Sequence, residues 1–584
     1  MAQAAAVRQH EEPSPRRRRV PSPAALLVAV LALAPADVAA RDAASESVLL
    51  RNAAVYTADP VQPWATAVLI EHGRIAYVGD DAGARARLRA DTHVVDLGRR
   101  MVLPAFHDSH AHPMSGGMRL LRCRLDGLAS EAAIRKAVRR CATEAAHHAW
   151  LLGGGWTPGS AASRRLTLKK LDALVPDRPA LLTTQDGFAA WVNSRALAAA
   201  KIDPADTSLD GLHRDAAGRE PTGIVEGAAL RRLRSVVPQP TQVEYRQALR
   251  QASALANRFG IVSIVDASAN AEMLEAYAAA ADAGELSLRV VAAQRIDARR
   301  GPEQIDEMVA RRERVRRPLF RADAAKIFLD AEFENHTAAL LEPYADAPDT
   351  RGDLPIDSDT LDAIVARLDA EGFMIHMHGM GDRAVRAGLD AIERAMRRNS
   401  PRDRRHQIAH IGVASTEDVR RFAALGITAN FQPIWFQADD PATGPSVRAL
   451  GAERARRMFP IASIASAGGR ILASSDWPSP SMNPLDAIQT AITHQPLDGG
   501  KPPLQPDQRL RLSAILAAYT RDAAWSARAE STSGSITVGK DADIIVLDRN
   551  LFETDLAKLH EVHVVLTLMA GRPVYRDARV GVHF

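Results

Sequence analysis

The chain has 584 residues, 46% apolar and 25% charged, enough for two domains or one large barrel with satellites. Its formal charge is only +4 and its arginines are scattered rather than striped, which points away from nucleic acid as a partner. The two cysteines, Cys123 and Cys141, make no disulfide framework and no Cys-x-x-Cys. Free buried thiols are the expectation, with pairing as the alternative in an oxidising compartment.

At the N-terminus, Arg16 to Arg19 form a basic cluster, an apolar run follows from Ala24 to Ala34, and Val38-Ala39-Ala40 are small. This is the order of a secretory signal, and the run is shorter than the about 20 residues of a membrane span. Residues 1–40 are therefore expected to be cleaved, leaving a periplasmic or secreted chain with no stable membrane span. The alternative is a disordered Ala-rich tail from a misassigned start. Paired arginines also allow a twin-arginine export route. The absence of a following Cys argues against a lipid anchor.

Residues 47–101, within an expected domain part of 41–101, alternate apolar and polar in short runs broken by Gly and Asp, as in Ile75-Ala76-Tyr77-Val78-Gly79. Residues 531–584 repeat the style, as in Ile544-Ile545-Val546-Leu547. Both ends are expected to build one small β-sandwich. Between them, 102–530 reads as an α/β fold, a (β/α)8 TIM-like barrel. Its expected strands are 101–106, 261–266, 287–293, 324–329, 373–378, 407–410, 427–431 and 471–475, separated by helical patterns such as 360–370, 382–397 and 416–424. The stretch 113–260 is too long for one βα connection, so it is an inserted subdomain after the first barrel strand. We expect it to form a lid over the barrel mouth.

Five short segments end on chemically able side chains. In His110-Ala111-His112 two imidazoles two residues apart share one strand face and can reach one ion. Asp108 and Ser109 are candidate acceptors for an imidazole's other nitrogen. Lys326 sits on the apolar run Ala324-Ala325-Lys326-Ile327-Phe328-Leu329. A buried lysine is disfavoured unless paired or chemically changed, and a depressed pKa lets it take up CO2. In His376-Met377-His378-Gly379, His378 is the ligand candidate, with His376 as fallback or supporting group. Asp382 falls where a helix N-cap is wanted and reads as structural. His410 and Asp476 end the next two segments. Each feature alone has a bland reading, a surface or core side chain. Together they fall at the C-terminal ends of the expected first, fourth, fifth, sixth and eighth strands, the face where barrel enzymes carry their sites. Imidazole and carboxylate ligands suit zinc, with manganese or iron as alternatives.

The chain resembles the amidohydrolase superfamily, specifically amidohydrolase family 3, the YtcJ-like metal-dependent hydrolases, over about residues 47–575. The resemblance rests on these segments and on Trp191-Val192-Asn193-Ser194, residues 337–344, Gly381-Asp382-Arg383-Ala384, residues 431–435, Ser475-Asp476-Trp477-Pro478 and residues 539–543. It implies His110, His112, Lys326, His378, His410 and Asp476 as the metal positions, one or two divalent ions, carboxylation of Lys326, and Asp476 as general acid/base. Three positions depart from the pattern. Ala105 and Ala331 stand where glycine is usual, and Phe188 stands where histidine is usual in the insertion. The last suggests a more apolar ligand.

The leading expectation is a hydrolase of non-peptide C–N bonds, of N-substituted amide or formamide type, acting on a small molecule. A metal-activated hydroxide attacks the carbonyl and Asp476 protonates the departing nitrogen. Trp156, Phe188, Trp191, Gln432, Trp435 and Trp477 are candidate substrate contacts, with core packing as the competing role of the tryptophans. The alternatives are a metal-dependent esterase, lactonase or cyclic-amide hydrolase, and an inactive metal-bound binding or regulatory protein. A homo-oligomer is compatible with all of these.

Overall fold

The computed structural model describes residues 47–157, 160–161, 163–185, 187–206, 208–215, 220–437, 444–479 and 481–579. The expected leader at 1–40 lies outside the described residues. Among the described residues, no helix is long and apolar enough to cross a membrane.

Eight parallel strands form one sheet in chain order: β1 (Phe106–Ala111), β2 (Ile261–Ala269), β3 (Arg289–Arg295), β4 (Phe320–Phe328), β5 (Met374–Gly379), β6 (Gln407–His410), β7 (Thr428–Phe431) and β8 (Ile471–Ala473). Every residue of β2 and of β5 is buried, as expected of parallel strands covered on both faces. The intervening helices start where the sequence writes caps. Asp357 and Ser415 accept the N–H groups of Thr360 and Asp418 at the starts of Ser358–Ala370 and Thr416–Leu425. Gly426, at φ 62°, ends the second of these helices. The end of β8 meets β1 through Asp476 N–H to His110 O and His112 N–H to Trp477 O, both 2.8 Å. This nearly closed barrel gathers the strand ends into one rim.

The first barrel strand is not 101–106. Met101–Pro104 lies parallel to Ala54–Tyr56 and antiparallel to Ile544–Leu547 in a six-stranded sheet that joins both chain ends. An apolar run carries no mark of which sheet it joins. A four-stranded sheet, in the order Arg74–Gly79, Ala67–Glu71, Ser47–Arg51 and His93–Asp96, is the other layer. Val48, Leu50, Val68, Val102, Ile544 and Leu566 belong to one buried cluster between the layers.

Between β1 and β2 the insertion carries its own six-stranded sheet, running from Cys123–Arg124 through Leu151–Trp156 and Ala180–Thr184 to Leu212–Arg214. Here the expectation of free thiols fails. Cys123, on the edge strand, is disulfide-bonded to Cys141 on the helix Glu131–Glu144, with their Cα atoms 5.5 Å apart. Both are buried in the insertion's core, where packing of that helix on the strand brings them together.

Candidate metal centre

Asp108 and His110 share one face of β1, and His112 stands one residue past its end. His110 is fully buried. Asp476 Oδ1 lies 3.4 Å from His110 Nε2 and 3.2 Å from His112 Nε2. The ligating atoms of these three residues all lie within 4.8 Å of one another, the only such group of His, Cys, Asp or Glu among the described residues. His110 Nε2 is buried and has no hydrogen-bond partner. A buried, unsatisfied imidazole nitrogen beside a carboxylate fits a divalent cation, and the donor set suits zinc.

The other three expected ligands come from neighbouring strands. In register, Lys326 of β4 pairs with His376 of β5, Phe328 with His378, and Gly379 with His410 of β6. The His378 and His410 rings are 4.3 Å apart, and the His410 and His110 rings 4.8 Å. Lys326 is only 1% exposed. Burial pulls its pKa down to about 7, with the nearby Asp476 carboxylate opposing. A sizeable fraction of this amine is therefore neutral near pH 7, the form able to react with CO2. Burial, and next the positive charge of Lys326, lowers His110 well below 6.5 and His378 to about 3. Burial followed by His378 does the same to His410. Neutral imidazole is the form that binds a metal. His410 and Asp476 hold left-handed backbone angles, φ 76° and 54°, and such strain in residues other than glycine gathers at functional positions.

Supporting groups fall partly where sequence reasoning did not put them. Asp108 does not face an imidazole's second nitrogen. It accepts bonds from Ser475 Oγ, Ser475 N and His110 N at 2.5, 3.0 and 3.3 Å, tying β1 to the segment after β8. The partner of His110 Nδ1 is His376 Nε2 at 2.9 Å, a contact that fits the supporting role for His376. Asp330, missed in the sequence, accepts the N–H groups of Ala339, Met380 and Gly381 at 2.9, 2.9 and 2.7 Å. It fixes the loop after His378; its Asp-Ala context looked like a backbone variation only. Gly381, not Asp382, is the helix N-cap, and Asp382 accepts the N–H of Leu341 at 2.8 Å. His406 bonds Asp369 at 3.1 Å and accepts the N–H of Ile375, outside the metal set.

A cavity of about 390 Å³ reaches His112 and Asp476 between the barrel rim and the insertion. Its walls include Ser115, Arg119, Arg122, Thr183 and Gln185. Two of the expected substrate contacts belong elsewhere. Trp156 and Trp191 are buried in the insertion's core, donating their indole N–H groups to Leu182 O and Thr167 O. Trp477 is also buried and packs over Gly116, where a Cβ would meet its ring at 2.0 Å. Gln432 is buried, donates to Ser474 Oγ at 2.9 Å and bonds His410, which makes it a positioning group. Trp435 is partly exposed on the turn Pro433–Gln437. Phe188 is 59% exposed. Its neighbour Gly187 lines the cavity and Phe188 does not, so this position gives no support to a more apolar ligand.

The sequence profile of the amidohydrolase family matches residues 93–575. YtcJ of Bacillus subtilis (strain 168) is 30% identical over 530 residues, 88% of this chain and 96% of its own. N-substituted formamide deformylase of Arthrobacter pascens is 27% identical over 549 residues, covering 91% and 98%. Among solved structures, an uncharacterized metal-dependent hydrolase from Pyrococcus furiosus superposes with a TM-score of 0.71 at 26% identity, covering 86% of this chain and 99% of that one.

Proposed function

The chain belongs to the amidohydrolase family, and from that premise we propose that it is a metal-dependent hydrolase of non-peptide C–N bonds in small N-substituted amides, formamides among them. The observation that carries the reading is the approach of Asp476 Oδ1 to both His110 Nε2 and His112 Nε2. The formamide deformylase likeness supports the bond type.

His110, His112 and Asp476 would hold one ion, with Lys326, His378 and His410 completing a centre of one or two, zinc being the first choice for this donor set. A bound divalent ion supplies Lewis acidity, lowering the pKa of water to about 7 and polarising a carbonyl. Lys326 serves as a carbamate. Its neutral amine nitrogen adds to the carbon of CO2 and releases one proton to solvent, leaving an anion to replace a cation in a buried place. The Oδ1 atom of Asp476 faces the two imidazoles, so Oδ2 is the oxygen left to take a proton and return it to the departing nitrogen. The cavity beside His112 admits the amide, and the insertion shields it from bulk water.

A periplasmic or secreted location is part of the proposal. It is supported by the signal-like N-terminus and by the Cys123–Cys141 disulfide, a bond that persists in oxidising compartments.

Elemental analysis of the mature chain tests the centre. About one or two zinc, manganese or iron ions per chain are expected, with fewer in Lys326→Ala, together with turnover of N-substituted formamides or amides. A metal-free protein after incubation with these ions and bicarbonate would overturn the enzyme reading. Faster turnover of matched esters or lactones would reassign the bond.

A further inference from the structure

Three cavities lie side by side along the insertion, of about 390, 370 and 400 Å³. The first ends at His112 and Asp476. Ser115, Gly153 and Thr183 line both it and the second, and Met118, Leu152 and Pro238 line both the second and the third. Among the described residues, Arg122 alone lines all three.

Its guanidinium has no contacting anion among the described residues. Its backbone N–H donates to Arg119 O at 3.3 Å, but its guanidinium makes no hydrogen bond or ion pair among the described residues, although the residue is partly buried. The neighbouring cation, Arg119, is paired with Asp126 and also bonds Pro478 O. The carboxylate that acts on Arg122 is Glu244, and Glu244 is committed to its helix start, accepting from Thr241 N and Oγ1 at 2.7 and 2.8 Å. Removing a guanidinium from water with no anion in contact with it is costly, and burial, opposed by Glu244, does lower the Arg122 pKa. A bidentate bond to an oxyanion is what such a group is shaped to make. Arg122 is also held in place. It joins the helix Pro113–Leu121 to the edge strand that starts at the disulfide-bonded Cys123.

We propose that Arg122 is a specificity-determining residue that binds a carboxylate or similar oxyanion of the substrate, so that the enzyme prefers anionic amides whose charged end lies along the insertion while the amide reaches His112 and Asp476. This rests on the amide-hydrolase reading and narrows it to a substrate class. The rest of the groove agrees. The Arg234 guanidinium, on the second cavity, bonds only the Gly187 carbonyl among the described residues, and among those residues no carboxylate other than Asp476 lines the first two cavities, while Glu144 and Glu244 line the third.

The test uses the metal-loaded mature enzyme and two probes that differ by one carboxylate, N-benzylformamide and 4-(formamidomethyl)benzoate. The wild type is expected to show a kcat/KM at least tenfold higher for the carboxylate probe. Arg122→Gln should erase that ratio through KM, and Arg122→Lys should retain part of it. A wild-type ratio of one or below, or a ratio unchanged in Arg122→Gln, overturns the proposal. If Arg122→Gln does not fold, the ratio in Arg122→Lys decides, and no change there overturns it. If neither probe is hydrolysed, the deformylation reading fails for both, and binding decides the inference separately. Calorimetric titration into Asp476→Asn should show the carboxylate probe binding at least tenfold tighter than the neutral one, with the preference lost when Arg122→Gln is added. Equal binding of the two probes overturns the proposal.

Discussion

Asp476 grips His110 twice: its backbone N–H donates to the His110 carbonyl at 2.8 Å, and its side-chain Oδ1 lies 3.4 Å from His110 Nε2. The first contact belongs to barrel closure and the second to the site, so the two can be separated by mutation. Asp476→Asn keeps the backbone bond and the side-chain shape while removing the proposed proton carrier. Turnover of an N-substituted formamide is expected to fall by about 10²- to 10⁴-fold. Steady-state kinetics and circular dichroism together check this; near-wild-type kcat in a folded variant would remove Asp476 from the chemistry.

His376 is expected to act through His110. With Nε2 2.9 Å from His110 Nδ1, it fixes the ring that presents His110 Nε2 to Asp476. Loss of such a partner weakens metal affinity by about 10- to 100-fold. Competition with a chromogenic chelator should show this loss for His376→Leu, and a smaller one for His376→Gln, which retains a hydrogen-bonding group. Unchanged affinity in His376→Leu would make the contact incidental.

The candidate metal residues stood out in the sequence because chemistry marks them, and the fold brings His110, His112 and Asp476 together. A lysine on the apolar strand Phe320–Phe328, and histidines two apart at the ends of two strands, are anomalies that composition alone does not produce. The barrel was legible because fully buried parallel strands read as apolar runs between capped helices. What escaped was the information carried by packing between distant segments. Met101–Pro104 looks like a barrel strand until Ile544–Leu547 is seen beside it. Trp156 and Trp191 look like pocket walls until the insertion's sheet buries them. Asp330 draws no notice in the sequence beyond the Ala331 that follows it, until three N–H groups from two loops are found on its carboxylate. Arg122 has no local signature at all. What marks it is a guanidinium with no contacting anion among the described residues, which only the folded chain reveals.

The Cys123–Cys141 bond closes a short loop, at a sequence separation of 18. Constraining the unfolded chain over that length contributes about 3 kcal/mol. Replacement of both cysteines by serine is therefore expected to destabilise the insertion by roughly that amount. Limited proteolysis should find the change within residues 113–260, where the disulfide lies, with the barrel less affected. A variant as protease-resistant as the wild type would show that the insertion's core holds the helix Glu131–Glu144 unaided.

His107 gives the fold a pH dependence that can be isolated from the metal ligands. It is 2% exposed, its Nε2 lies 2.9 Å from Ser533 Oγ, and its Nδ1 has no partner. Burial, with Arg289 and Lys540 adding repulsion, lowers its pKa to about 3. The folded chain therefore refuses a proton that the unfolded chain accepts below its ordinary value of about 6.5. The unfolded state then binds more protons, so stability falls as the pH drops from about 6.5 toward 3 and is unaffected by His107 above that window. At pH 5 this site accounts for up to about 2 kcal/mol. His107→Gln keeps a group able to reach Ser533 and does not titrate. Urea unfolding at pH 7 and pH 5 should show a loss of stability smaller in His107→Gln than in the wild type by that amount; identical losses would place the proton uptake on other histidines.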